Sequence, residues 1–243
     1  MRGIILAAGR GSRLGLIIKN SHKSLIKFNK SNLLENIIKN FNKHKITNVS
    51  IVTGYNHNKF KKYNLKKFHN NSWRKSNMVY SLTKADNWLS NHTCIISYSD
   101  IYYEDNAIKI LKNSKNNFTI LSNKKWLKNW SSRYKNPLND AESFKIDKKK
   151  NLIEIGKKEK KIKNIQGQYM GLIKVTPKIW RLIKKKIPRI KYKNNISITE
   201  LLNKLIQFKL KIKTIEYNSK WFEIDNKSDL NFFLKSINNS KSK

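Results

Sequence analysis

The 243 residues carry 53 lysines and arginines against 15 acids, a net charge of +38, with a single cysteine and lysine supplying all but seven of the bases. That length allows one large domain or two small ones with a sizeable core. The lysines are scattered among abundant Asn and Ile rather than gathered in one arm, so a solvated surface is expected and no nucleic-acid partner.

No stretch approaches the ~20 apolar residues of a membrane span, and the N-terminal apolar run is too short and too lightly charged at its front for a signal peptide. Cys94 allows no internal disulfide and sits in an apolar run, as a buried thiol does. A cytoplasmic protein follows, monomeric or homodimeric and without a membrane partner.

In chain order, residues 2–7 read as a buried strand that stops in a loop holding Gly9, Gly11 and Gly15 with Arg10 and Arg13. Asn32-Leu-Leu-Glu35 is a capping box, after which Leu34, Ile37, Ile38 and Phe41 fall on one helical face. Residues 48–53 form the next strand, and the strand–loop–helix–strand order indicates a parallel sheet. A short helix over 56–63, a strand over 66–69 and a helix over 77–89 with Met78, Leu82, Ala85 and Leu89 inward come next. A strand over 93–98, a helix over 105–111 and a strand over 118–122 close this α/β half.

From Lys124 the texture changes. Residues 124–140 are aromatic, polar and without clear period, and read as a loop or insertion. Residues 143–147 and 152–155 form a hairpin, and the charge run 157–163 an exposed loop. A strand over 168–175 precedes Pro177 at a helix start. Ser197-Ile-Thr-Glu200 is a second capping box, for a helix through Phe208. Strands over 212–217 and 221–224 lead to a last helix capped by Asn226-Lys-Ser-Asp229, with 238–243 frayed. The expected fold class is α/β: a Rossmann-like, mostly parallel sheet flanked by helices, with a small mixed β insertion. One domain spans 1–237, with 124–165 as the insertion.

The first loop suits phosphate, because glycines let backbone amides approach closely and Arg10 and Arg13 add fixed charge. It lacks the third glycine of a dinucleotide fingerprint and the Gly-Lys-Ser/Thr of a Walker loop. Asp100, in Ile95-Ile-Ser-Tyr-Ser-Asp100, lies just past a buried strand, where open α/β sheets place ligands. It can serve as a turn-former, a helix cap or a metal ligand. In Trp221-Phe-Glu223-Ile-Asp225 the two acids share a face by period two, a costly pairing unless a cation lies between them. Asp225 can also simply precede the capped helix.

The run Leu6-Ala7-Ala8-Gly9-x-Gly11-Ser12-Arg13-Leu14, with Lys23 about ten residues on, resembles the signature of nucleotidyltransferases that make nucleotide-sugars and CDP-activated headgroups. His22 stands where that family usually has proline. Asn70-x-x-Trp73-x-x-Ser76-Asn77-x-x-x-Ser81, the Trp126-to-Glu142 stretch, Gly167-Gln-Tyr169-Met-Gly171 and Trp221-x-Glu-x-Asp follow in order. Together they are similar to the small cytidylyltransferases acting on phosphocholine, 2-aminoethylphosphonate or, in capsule modification, glutamine.

The resemblance implies a nucleotidyltransferase fold of the glycosyltransferase-A-like kind. Its partners would be CTP and a small phosphate- or phosphonate-bearing acceptor, with magnesium as cofactor. It also implies attack on the α-phosphorus of CTP with release of pyrophosphate. Arg13 and Lys23 would handle the phosphates, and Asp100, Glu223 and Asp225 the metal. Leu6, Ala7, Ala8, Gly9, Gly11, Ser12, Tyr55, Asn77 and Ser81 would surround the nucleotide.

For the acceptor, Trp126, Trp130, Tyr169 and Trp221 are aromatic faces of the kind that attract a quaternary ammonium. Asp140 and Glu142 can instead, or also, hydrogen-bond a primary ammonium, and Arg133 can pair with Asp140 or meet the acceptor phosphate. The aromatics can equally form a small core under the insertion. A sugar-1-phosphate enzyme using another triphosphate is the competing reading.

Overall fold

A computed structural model describes residues 1–132, 134–190 and 193–238. Arg133 and the end of the expected frayed tail therefore lie outside the described residues. The strands and helices are β1 (Arg2–Ala7), β2 (Lys27–Phe28), β3 (Ser31–Asn32), α1 (Leu33–Lys43), β4 (Val49–Thr53) and β5 (Lys66–His69). Next come α2 (Met78–Thr83), α3 (Asp86–Asn91), β6 (Cys94–Tyr98), β7 (Ile101–Tyr103), α4 (Asn106–Asn113), β8 (Phe118–Asn123) and α5 (Trp126–Ser131). The chain ends with β9 (Glu142–Ile146), β10 (Leu152–Lys158), β11 (Gln168–Val175), α6 (Pro177–Lys186), α7 (Ile198–Gln207), β12 (Lys213–Tyr217), β13 (Trp221–Glu223) and α8 (Lys227–Asn238).

Seven strands form the central sheet in the order β12-β8-β11-β6-β1-β4-β5. All its pairings are parallel except those of β11, which runs antiparallel to both β6 and β8. The central strands β1, β4 and β6 are almost continuously apolar and buried, as strands covered on both faces must be. Antiparallel β9 and β10 form a separate hairpin against which α7 packs. A two-stranded ribbon of β7 and β13 lies beyond the end of β6. This is the Rossmann-like, mostly parallel architecture the sequence predicts, and among the described residues no helix is long and apolar enough to cross a membrane.

The helix starts follow from their caps. Asn32 Oδ1 accepts the Glu35 amide at 3.0 Å while the Glu35 carboxylate accepts the Asn32 amide at 3.1 Å. Ser197 and Glu200 repeat the same reciprocal pair at α7. Two expectations need correction. The helix over 77–89 is two helices, α2 and α3, because the chain turns at Lys84–Ala85 and restarts at Asp86. There Asp86 is fixed by Trp180 at 2.7 Å and Lys184 at 2.9 Å from α6, so tertiary contacts override the periodicity. The aperiodic stretch 124–140 contains α5, whose six residues give only one i, i+4 repeat, Trp126 and Trp130, too little to register as a period.

Burial in β6 pushes the Cys94 thiol up to about 12. Alkylation by iodoacetamide at pH 8 is therefore expected to spare Cys94 in the folded protein and to go to completion in denaturant. Rapid labelling of the native protein would contradict this packing.

Candidate active site

The site lies where the carboxyl ends of β1, β4 and β6 come together, with Leu6 opposite Tyr98 and Ala7 opposite Thr53. The glycine loop leaves β1 here. Gly11 has φ +66°, a conformation that L side chains rarely adopt, and a Cβ on it would lie 3.0 Å from Ile18 and 3.1 Å from Lys23. A 3-10 turn over Ser12–Ile18 then carries Arg13 outward and Leu14 and Ile18 inward. Leu14 and Ile18 join Ile224, Leu230, Phe233 and Ile237 in a second apolar cluster, separate from the main core. The phosphate-type loop is thus seated on α8.

Lys23 is the centre of the charge arrangement. Its ammonium pairs with Asp100 and, at 3.3 Å, with Asp225, while Arg13 reaches Asp225 at 3.0 Å. Burial opposes the Lys23 charge, but Asp100 and Asp225 outweigh it and hold the ammonium pKa above its ordinary value. His22 positions Lys23: its Nδ1 accepts the Ser24 amide at 3.1 Å and caps the turn Lys23–Leu25. The imidazole is itself buried, edge-on to Phe60, and burial together with the neighbouring Lys23 lowers its pKa to about 4. The position where the family usually has proline is filled by a neutral ring that braces the turn.

The acids are assembled by β7 and β13. Their antiparallel pairing sets Glu223 opposite Ile101, and the Ile224 amide donates to the Asp100 carbonyl at 3.0 Å. Asp225 is held from behind, because buried Asp229 accepts the amides of Asp225 and Asn226 at 3.0 and 3.1 Å while Asn226 caps α8. Asp100, Glu223 and Asp225 therefore offer carboxylate oxygens within 4.8 Å of one another. An all-oxygen set of three carboxylates is the donor chemistry of a hard divalent cation such as Mg²⁺. The constellation expected from the sequence is brought together as a unit.

Two clefts open from this point. The first, about 230 Å³, is lined by seven of the expected nucleotide residues: Leu6, Ala8, Gly9, Arg13, Asn77, Ser81 and Asp100. Ala7 is buried within β1, and Gly11 and Ser12 shape the loop without lining the cleft. Tyr55 stands behind the wall, edge-on to Trp73 at 5.2 Å. Trp73 does line the cleft, as do His22, Ser76, Tyr98 and Ser99, none of them among the residues expected around the nucleotide. Buried Asn70 organises this wall, donating to Ser76 at 3.0 Å and Ser81 at 2.9 Å. The spacing Asn70-x-x-Trp73-x-x-Ser76 was the available signal.

The second cleft, about 300 Å³, shares Arg13, Glu223 and Asp225 with the first and extends to Trp130, Asp140, Glu142 and Tyr169. Trp126 and Trp221 line neither cleft. Both are buried and give their indole N–H to main-chain carbonyls, Trp126 to Ile165 at 3.2 Å and Trp221 to Met170 at 3.1 Å. Their expected place against the acceptor gives way to packing beneath it. Arg133 lies outside the described residues.

Comparison with known proteins agrees with this fold. The MobA-like NTP transferase domain matches residues 3–121, from β1 into β8. The CTP:phosphoglutamine cytidylyltransferase of Campylobacter jejuni is 33% identical, over 95% of this chain and 98% of that one. The chain belongs to the cytidylyltransferases. A second member of that family, the choline-phosphate cytidylyltransferase of Haemophilus influenzae, is 32% identical over 52% of this chain and 57% of its own. The solved CTP:phosphocholine cytidylyltransferase from Streptococcus pneumoniae shares the fold, with a TM-score of 0.74 over 97% of this chain and 98% of that one at 18% identity.

In this cytidylyltransferase, Trp126→Ala is expected to lower the unfolding free energy by ~3–5 kcal/mol, as for other buried aromatics. Urea titration measures it, and an unchanged midpoint would return Trp126 to the cleft wall.

Proposed function

We propose that the protein is a Mg²⁺-dependent cytidylyltransferase that transfers CMP from CTP to a small, amine-bearing phosphate or phosphonate and releases pyrophosphate. The observation that carries this reading is the junction of the two clefts. One is walled by the glycine loop, the other ends in acids and polar side chains, and both open onto Arg13, Glu223 and Asp225. An acceptor oxygen and the α-phosphorus held there would be neighbours, and such orientation supplies much of the acceleration in phosphoryl transfer.

The chemistry asks little else of the chain. A phosphate or phosphonate oxygen is already ionised near neutral pH, so its attack needs no general base. The bond from the α-phosphorus to the bridging oxygen breaks as the new P–O bond forms, and pyrophosphate leaves with the negative charge. Arg13 would hold that leaving group, and Lys23 would neutralise charge near the α-phosphate. Asp100, Glu223 and Asp225 would hold the metal, which supplies Lewis-acid neutralisation at phosphate oxygens. In the free protein Lys23 and Arg13 are paired with two of these acids. A triphosphate competes for the same cations, so its arrival frees the carboxylates.

We take residues 1–237 as one catalytic domain with 124–165 on the acceptor side, and the cytoplasm, where CTP is made, as its compartment. Identity to the phosphoglutamine enzyme along almost the whole chain favours an amide-bearing phosphate as a second reading of the acceptor.

Incubating the protein with CTP, Mg²⁺ and a panel of phosphocholine, 2-aminoethylphosphonate and phosphorylated glutamine is expected to release pyrophosphate with at least one of them. Release only with a hexose-1-phosphate would overturn the acceptor class. Asp100→Asn and Asp225→Asn should each lower kcat by ~10²–10³, the loss typical of one transition-state electrostatic contact. Full activity in either variant would remove that residue from the site.

A further inference from the structure

The far end of the second cleft differs from what an aromatic-rich sequence suggests. A cage for a quaternary ammonium needs exposed ring faces, because the attraction acts through the π-face. Here the tryptophan faces are spent on one another. Trp130 stacks on Trp221 at 5.8 Å with an interplanar angle of 13°, and Trp126 meets Trp130 edge-on at 6.1 Å. All three are at most 3% exposed. The Trp130 N–H is turned to Asp140 at 3.1 Å. The tyrosines of the cleft, Tyr98 and Tyr169, pack edge to face at 5.8 Å.

Hydrogen-bonding groups face the cleft in their place: Glu142, Asp140, Gln168, Ser197 and Thr199. Glu142 stands out among them. Its main chain is fixed by Gln168, whose side-chain amide donates to the Glu142 carbonyl at 2.6 Å. Its half-buried carboxylate has no cationic partner among the described residues, in a chain where bases outnumber acids 53 to 15. Burial, and then the nearby Asp140 and Glu200, raise its pKa. The Tyr169 hydroxyl, buried in the same cleft, interacts with the Tyr98 side chain without a hydrogen bond of good geometry. A carboxylate without a cation, beside a hydroxyl with bonding capacity to spare, is a group that a ligand completes.

Building on the reaction proposed above, we infer that this cleft selects an acceptor whose far end is a nitrogen bearing N–H donors, a primary ammonium foremost, and discriminates against a trimethylammonium, with Glu142 as the specificity-determining carboxylate. A primary ammonium gives charge and directed hydrogen bonds to Glu142 and Tyr169 at once. A trimethylammonium keeps the charge but has no N–H to give, and would leave both without a hydrogen bond. Such sites reject the analogue lacking the hydrogen bond more strongly than apolar pockets reject extra bulk.

The test uses one graded series: 2-aminoethyl phosphate and its N-methyl, N,N-dimethyl and N,N,N-trimethyl derivatives, the last being phosphocholine. Binding to the CTP-loaded protein is measured by calorimetry and pyrophosphate release in parallel. Affinity is expected to fall with each methyl group, by about tenfold or more across the series, the range for a hydrogen bond to a charged group. Glu142→Gln should flatten that series and raise KM for the primary amine, leaving KM for CTP as in the unaltered protein, and Glu142→Asp should restore part of the preference. Trimethylated acceptor bound as tightly as the primary amine, or tighter, overturns the inference, and so does absence of binding by every member. Preference for the primary amine in binding with no pyrophosphate released would uphold the selectivity and instead overturn the proposed reaction.

Discussion

The structure depends on one buried cation. The Lys23 ammonium sits against Asp100 and Asp225, next to a third carboxylate, and these acids outweigh the burial that opposes its charge. Breaking a buried ion pair costs ~3–5 kcal/mol because the remaining charge stays uncompensated. Three acids in one small space would otherwise repel one another. The neighbouring elements hold this charge set in register. The His22 ring braces the turn that carries Lys23, the β7–β13 ribbon fastens Glu223 beside Asp100, and Asp229 clamps the backbone of Asp225. The second apolar cluster ties the glycine loop and Arg13 to the same α8.

That design explains how so basic a chain keeps a selective site. A net charge of +38 raises the local concentration of any polyanion, a triphosphate included, but distinguishes poorly among anions. In the proposed reaction, discrimination would come from where the few acids stand. Three of the 15 form the metal-type cluster, and Asp140 and Glu142 face the second cleft. On the proposed reading the surface lysines steer, the buried Lys23 organises, and the cleft acids choose.

Much of this was legible in the residues. Strands such as β1, β4 and β11 were readable because their apolar runs end in turn residues, and α1 and α7 because their capping boxes fix the first turn. The pairing of Glu223 with Asp225 followed from the two-residue period of a strand, and the loop and Lys23 from their spacing. What sequence reasoning missed depends on contacts between distant segments. The break between α2 and α3 is held by Trp180 and Lys184 from α6. Trp126 and Trp221 have the composition of a ligand wall, and only the stacking around Trp130 turns them into core. Asn70 and Trp73 were visible as a spaced motif, but their role at the nucleotide wall needs the packing of Trp73 beside Gly54 and the loop. His22 read as a departure from the family; the Ser24 amide it caps shows its use.

In the proposed reaction Lys23 and Arg13 occupy the carboxylates of the free protein and give them up when nucleotide binds. Mn²⁺ titration followed by electron paramagnetic resonance, with and without CTP and in the absence of acceptor, tests it most directly. The account predicts weak Mn²⁺ binding to the free protein, much tighter binding with CTP present, and tight binding without nucleotide once Lys23→Met removes the competing charge. Equal, tight binding with and without CTP in the unaltered protein would contradict it.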